Sequence, residues 1–196
     1  MQHSDLSDHE LMERIQSGDE QAFALLWSRY AHALTNFFYQ MCFDRVASED
    51  YVQETFLRVW RARATYRPIG KVSTWLYQIG KHYWFNEREK LKRRPFHAVA
   101  GGDDGQAQFA NLEESGSDHA PDAVATASET GKAIEEAVSG LSEKLRVVFV
   151  LARYRSLPYA EISEIVDIPV GTVKSRVSLA EQQLRRSLAG HLEGNA

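Results

Sequence analysis

Two clusters of side chains in this chain have the types and spacing to grip nucleic acid. Near the C-terminus, Gly171-Thr172-Val173-Lys174-Ser175-Arg176 directly follows a short Asp167-Ile168-Pro169 turn. Cations and hydroxyls on the first turns of a helix suit guanine edges and phosphate oxygens. The second cluster combines Trp75, Tyr77, Tyr83 and Trp84 with Lys81, Arg88, Lys90, Lys92, Arg93 and Arg94. This aromatic and basic block suggests a second nucleic-acid contact on the same chain, its cations suiting phosphate, while the spacing of the rings places them in a core more often than on a stacking platform. No nucleophile motif or Gly-rich phosphate loop appears. The seven histidines are scattered without ligand spacing and there is one cysteine, so neither a metal site nor a cofactor is expected.

The elements that must position these groups read as helices, because three- and four-residue apolar spacing recurs while strict alternation is absent. Ser7 and Glu10 form a capping-box pattern for a first helix ending near Gly18. Asp19 caps a long second helix with Phe23, Leu26, Trp27, Tyr30, Leu34, Phe37, Phe38 and Met41 on one face, in an apolar stretch where Cys42 reads as core packing. Ser48 is the expected cap of a third, with Val52, Phe56, Val59 and Trp60 inward. Pro68 and Gly70 make Tyr66–Val72 a loop. A fourth helix starts around Ser73, buries Trp75, Leu76, Ile79 and Tyr83, and ends before Pro95, with Trp84 left open between core and surface. Further on, Ser142 caps a helix presenting Leu145, Val148, Phe149 and Leu151. Pro158 suits the first turn of the next helix, which runs to Val166. After the turn, Val173, Val177, Ala180, Leu184 and Leu188 form the inward stripe of the last helix. Thr172, Lys174, Ser175 and Ser178 are left outward, where a helix lying in a major groove meets base edges.

A chain of 196 residues, 43% hydrophobic and 26% charged, is that of a folded globular protein. It lacks the roughly 20-residue apolar run of a membrane span. It also lacks the basic start and apolar core of a signal peptide, so a reducing cytoplasm is expected. The net charge of −4 conceals segregation. Residues Pro95 to Gly131 include Asp103, Asp104, Glu113, Glu114, Asp118, Asp122 and Glu129 but no Lys or Arg, whereas basic residues dominate on both sides. The Gly-, Ala- and Ser-rich stretch 95–128 buries too little apolar surface to offset its ordering entropy and reads as a flexible acidic linker. It divides the chain into helical domains at 1–94 and 129–196.

Residues Ala47 to Trp60 and Ser73 to Lys81, in this order and spacing and followed by the helix-turn-helix, resemble the bacterial extracytoplasmic-function (ECF) sigma factors of the sigma-70 family. The resemblance covers roughly residues 8–94 and 130–190. It implies an all-α protein with a region 2-like helical bundle and a region 4-like helix-turn-helix on a flexible linker. Such a protein is not an enzyme. It binds core RNA polymerase, through its clamp helices and flap, and directs transcription from a two-part promoter. By this resemblance Asp50, Gln53, Glu54 and Arg58 face the polymerase. Tyr66, Lys71, Ser73, Thr74, Lys81, His82, Arg88, Lys92 and Arg93 serve the −10 element and its melting. Thr172, Lys174, Ser175, Arg176 and Ser178, with Arg153 and Arg155, read the −35 element. An anti-sigma factor is a further partner the family implies.

Three positions depart from the family pattern: His82 stands where Asn is usual, Asn86 where Asp is usual, and Leu179-Ala180-Glu181 where Arg-Ala-Arg is usual. Glu181 facing a phosphate backbone is repelled, and Arg153, Arg155, Arg185 and Arg186 are the residues that can compensate. Two rival functions remain from the sequence. A stand-alone helix-turn-helix regulator would not need a basic, aromatic fourth helix. A sigma-like mimic that sequesters a regulatory partner would not need Lys174, Arg176 or the cations from Lys90 to Arg94.

Overall fold

The computed structural model describes residues 6–93 and 131–194, and the expected linker at 95–128 lies outside them. Helices α1 (Asp8–Gln16), α2 (Glu20–Cys42), α3 (Arg45–Ala62) and α4 (Val72–Arg93) make the first half. The second half has a helical segment α5 over 131–139, then α6 (Glu143–Phe149), which continues as a π-helical turn over Val150–Tyr154. Helices α7 (Tyr159–Val166) and α8 (Val170–Gly194) complete it. Every element among the described residues is helical. None is long and apolar enough to cross a membrane.

Local chemistry explains most boundaries. Ser7 and Glu10 form the reciprocal capping box, and Asp19 accepts from the amides of Gln21 and Ala22. Helix α3 starts earlier than expected. Its cap is Asp44, which accepts from the Ala47 amide, while Ser48 is buried inside the helix with its hydroxyl donating to the Asp44 carbonyl. An aspartate four residues upstream thus takes the role that Ser48 offered. Helix α2 ends at Phe43, a non-glycine residue in the left-handed region at φ 56°. The Arg146 guanidinium lies over that ring at 5.6 Å and donates to the Met41 carbonyl at 2.7 Å, so a cation satisfies the negative end of α2.

The N-terminal core packs Leu26, Leu34, Phe37, Phe38 and Met41 of α2 against Val52, Phe56 and Val59 of α3 and Leu76, Tyr77 and Trp84 of α4. Trp84 is therefore core, while Trp75 is only partly buried. Gly80 lets α4 approach closely: a Cβ there would stand 2.8 Å from Phe38 Cζ and 3.2 Å from Thr55 Oγ1. The same cluster runs on into the second half through Val147, Val148, Val150, Leu151, Ile162 and Ile165. The two helical blocks are thus in contact along α4 and α7, and α2 meets α6 and the π turn.

Candidate nucleic-acid interface

The helix-turn-helix is held by its own apolar stripe. Ile162 and Ile165 of α7 and Val173, Val177 and Ala180 of α8 are almost fully buried, and Leu184 nearly so. Between the helices Asp167 adopts φ 56°, which reverses the chain. The Ser163 hydroxyl then donates to the Ile168 carbonyl, and the amides of Thr172 and Val173 donate to Pro169. With the stripe inward, Lys174, Ser175 and Ser178 are exposed, and Thr172 and Arg176 are partly exposed. Ser175 donates to the Thr172 carbonyl at 3.0 Å, which leaves its oxygen free to accept. Arg153 is not a free cation: its Nε donates to Glu181 at 2.7 Å, and Arg185 stands 3.9 Å from the same carboxylate. The charge of Glu181 is offset in place. Arg155 is turned away from this face and donates to the Tyr77 hydroxyl at 2.8 Å.

The candidate strand-holding residues on and before α4 are less uniform than their spacing suggested. Tyr66, expected in an open pocket, is 8% exposed; it pairs with His9 Nδ1 at 2.9 Å and packs on Trp75. His9 of α1 and Trp75 of α4 together claim that ring, which no local spacing could reveal. Thr74 and Lys81 are also buried, at 5% and 7% exposure. Burial pushes the Lys81 ammonium below its ordinary range, with Asp167 acting in the other direction. Ser73 is half-buried and His82 exposed. Burial and then the neighbouring Lys81 lower the His82 pKa, which favours a neutral ring able to donate and accept. Lys71 pairs with Glu161, Arg88 and Lys92 pair with Glu143, and Arg93 pairs with Glu89.

A concavity of about 490 Å³ opens between α3 and α4, lined by Arg58, Arg61, Ala62, Ile79, His82, Tyr83 and Asn86. Arg61 was not singled out by the sequence. It joins the others because α3 and α4 pack side by side, a long-range fact without a local signal. On the outer side of α3, Asp50 and Gln53 are exposed. Glu54 is tied to Arg58 at 3.0 Å, and Arg58 lies over the Tyr83 ring at 4.5 Å. Among the described residues no cluster of His, Cys, Asp and Glu is arranged to hold a metal.

Two family models match the chain, sigma-70 region 2 over residues 26–94 and sigma-70 region 4 over residues 131–184. Among relatives, the RNA polymerase sigma-H factor of Pseudomonas aeruginosa is 29% identical, over 92% of this chain and 93% of its own length. The ECF RNA polymerase sigma-E factors of Haemophilus influenzae and Escherichia coli K12 are 30% and 32% identical. Those alignments cover 93% and 91% of this chain and 96% and 93% of the relatives. The fold is similar to that of CnrH in complex with the cytosolic domain of CnrY, with TM-score 0.67, 22% identity, and 93% and 97% of the two chains covered. It is also similar to that of the Bartonella quintana sigma factor RpoE in complex with the anti-sigma factor NepR, with TM-score 0.63, 20% identity, and coverage of 85% and 96%.

Proposed function

Since the chain belongs to the ECF group of sigma-70 factors, non-enzymatic proteins that direct promoter-specific transcription initiation by RNA polymerase, we propose the following division of labour among its residues. The domain at 129–196 reads the −35 element through Thr172, Lys174, Ser175, Arg176 and Ser178, with α8 in the major groove. The domain at 1–94 engages and melts the −10 element along α4, with Lys71, Ser73, Lys81, His82, Arg88, Lys92 and Arg93 near the strand. Asp50, Gln53, Glu54 and Arg58 of α3 meet the clamp helices of the polymerase. Tyr66 and Thr74 support the α4 end from within the core, and Arg153 and Arg155 support the duplex-reading half by fixing Glu181 and Tyr77. The chain acts in the cytoplasm, where polymerase and promoter are, and an anti-sigma factor is its regulatory partner. The solved RpoE and CnrH complexes motivate that last assignment.

The observation that carries the reading is the exposed trio Lys174, Ser175 and Ser178 on the N-terminal half of the helix that follows the Asp167 turn. Two weak DNA contacts on one chain raise each other's effective concentration once polymerase holds both. Run-off transcription from a promoter library with purified core polymerase tests it. Lys174→Ala or Arg176→Ala should lower initiation on the preferred promoters by about 1–3 kcal/mol of binding where the residue contacts a base. Core affinity should be unchanged. Equal loss of core binding with promoter choice intact would refute the assignment of α8.

A further inference from the structure

We propose that Leu179 is a base-reading residue: its side chain packs on the C5-methyl group of a thymine in the major groove and so sets one position of the −35 preference. The inference rests on the assignment of α8 to the duplex made above, and it names one specificity which that face carries.

Helical periodicity puts the residue among the readers. Thr172, Ser175, Arg176 and Leu179 stand at i, i+3, i+4 and i+7, the spacing of one side of a helix. The stripe of Val173, Val177, Ala180 and Leu184 turns the other way, into the fold. Leu179 lies seven residues beyond Thr172, about 10 Å along the axis. That separation is short enough for both to meet one groove, which is about 12 Å wide.

The residue type is what singles the position out. Leu179 is 45% exposed and belongs to neither apolar cluster of the described residues. Its neighbours on the helix surface are polar: Ser175, Gln182 and Gln183 are exposed, and Arg176 is partly so. An apolar side chain held in water gains only when something apolar covers it. In the major groove thymine presents a methyl group, whereas guanine, adenine and cytosine present donors and acceptors. Leucine can meet none of those polar groups, so thymine is the base it favours, and cytosine, which lacks the methyl, is the pyrimidine it rejects.

Charge permits the approach at this level of the helix. A bare Glu181, two residues further on, would repel phosphate. Its carboxylate instead accepts from Arg153 Nε at 2.7 Å, and Arg185 stands 3.9 Å from its second oxygen. The Glu181 side chain is 24% exposed, against 52% and 82% for Arg153 and Arg185. Two cations therefore stand outside one acid, and the flank of α8 beside Leu179 offers phosphate a positive edge.

The experiment uses holoenzyme assembled from core RNA polymerase and the full chain, on linear promoters randomised across the −35 region and carrying a transcribed barcode. The preferred promoter is then rebuilt with each −35 thymine, on either strand, replaced in turn by deoxyuridine, which deletes only the methyl. One replacement should lower run-off initiation by about fourfold, the effect of one buried carbon. Leu179→Ala, at an exposed position, should be indifferent to that replacement while binding core as the parent does. Leu179→Arg should select guanine at that position, since a guanidinium pairs with O6 and N7. The assignment is overturned if no −35 thymine responds in the parent, if the response is equal in Leu179→Ala, or if Leu179→Arg still selects thymine. Weaker core binding by Leu179→Ala also overturns it, because the side chain then lies against polymerase. A parent chain with no preference across the −35 region refutes the assignment of α8 itself, and the proposal falls with it.

Discussion

Replacing Gly80 by Ala should destabilise the fold, although alanine is the better helix former. The Cβ would meet Phe38 Cζ at 2.8 Å, whereas ordinary contact begins at 3.4 Å. The ring cannot simply rotate away. Phe38 is fully buried, with the Phe37 and Tyr51 rings at 5.2 and 5.3 Å. On the other side Thr55 Oγ1 would stand at 3.2 Å, and that hydroxyl is committed to the Tyr51 carbonyl at 2.7 Å. With both neighbours fixed, the overpacking cost belongs near the upper end of its usual span, about 3 kcal/mol. Relief of the helical glycine returns about 1 kcal/mol. A net loss of about 2 kcal/mol in a chain of this size lowers Tm by about 4–8 °C. Thermal unfolding followed by far-ultraviolet circular dichroism measures it. Adding Phe38→Leu should recover part of the loss relative to Phe38→Leu alone, because contacting sites couple. An unchanged or raised Tm for Gly80→Ala would refute the claim that α4 is held by this close approach.

Three further outcomes follow from named contacts. Tyr66→Phe removes only the hydroxyl that pairs with His9 and should cost about 0.5–1.5 kcal/mol in chemical denaturation; a loss of open-complex formation at unchanged stability would instead put that ring at the DNA. Val173→Ala, at a fully buried position under the recognition helix, should cost about 1–3 kcal/mol and weaken duplex binding only as far as the second half unfolds. His82, lowered by burial and by Lys81, should titrate below the ordinary value of about 6.5 when its ring protons are followed by NMR. A midpoint above that value would mean that an anion governs the ring.

The sequence disclosed what depends on near neighbours. The capping box at Ser7, the Asp19 cap, the stripe of Val173, Val177, Ala180 and Leu184, and the turn at Asp167 were all readable, because each is written within a few residues. The family resemblance supplied the role, and the relatives support it. What stayed hidden was set across long separations. Nothing local told that His9 would claim Tyr66, that Trp84 would be core, or that Glu143 would face Arg88 and Lys92 more than fifty positions away. Cation spacing on α4 identified a charged face, and only the fold reveals which acids already lie against it.

The most direct measurement is association with core RNA polymerase, followed by fluorescence as labelled core is titrated with the full chain and with its Asp50→Ala/Gln53→Ala variant. Both residues are exposed on α3, so the variant should fold normally yet bind core several-fold more weakly, with initiation falling in proportion. A parent chain that binds no core, under conditions where it still binds duplex DNA, would contradict the account at its root.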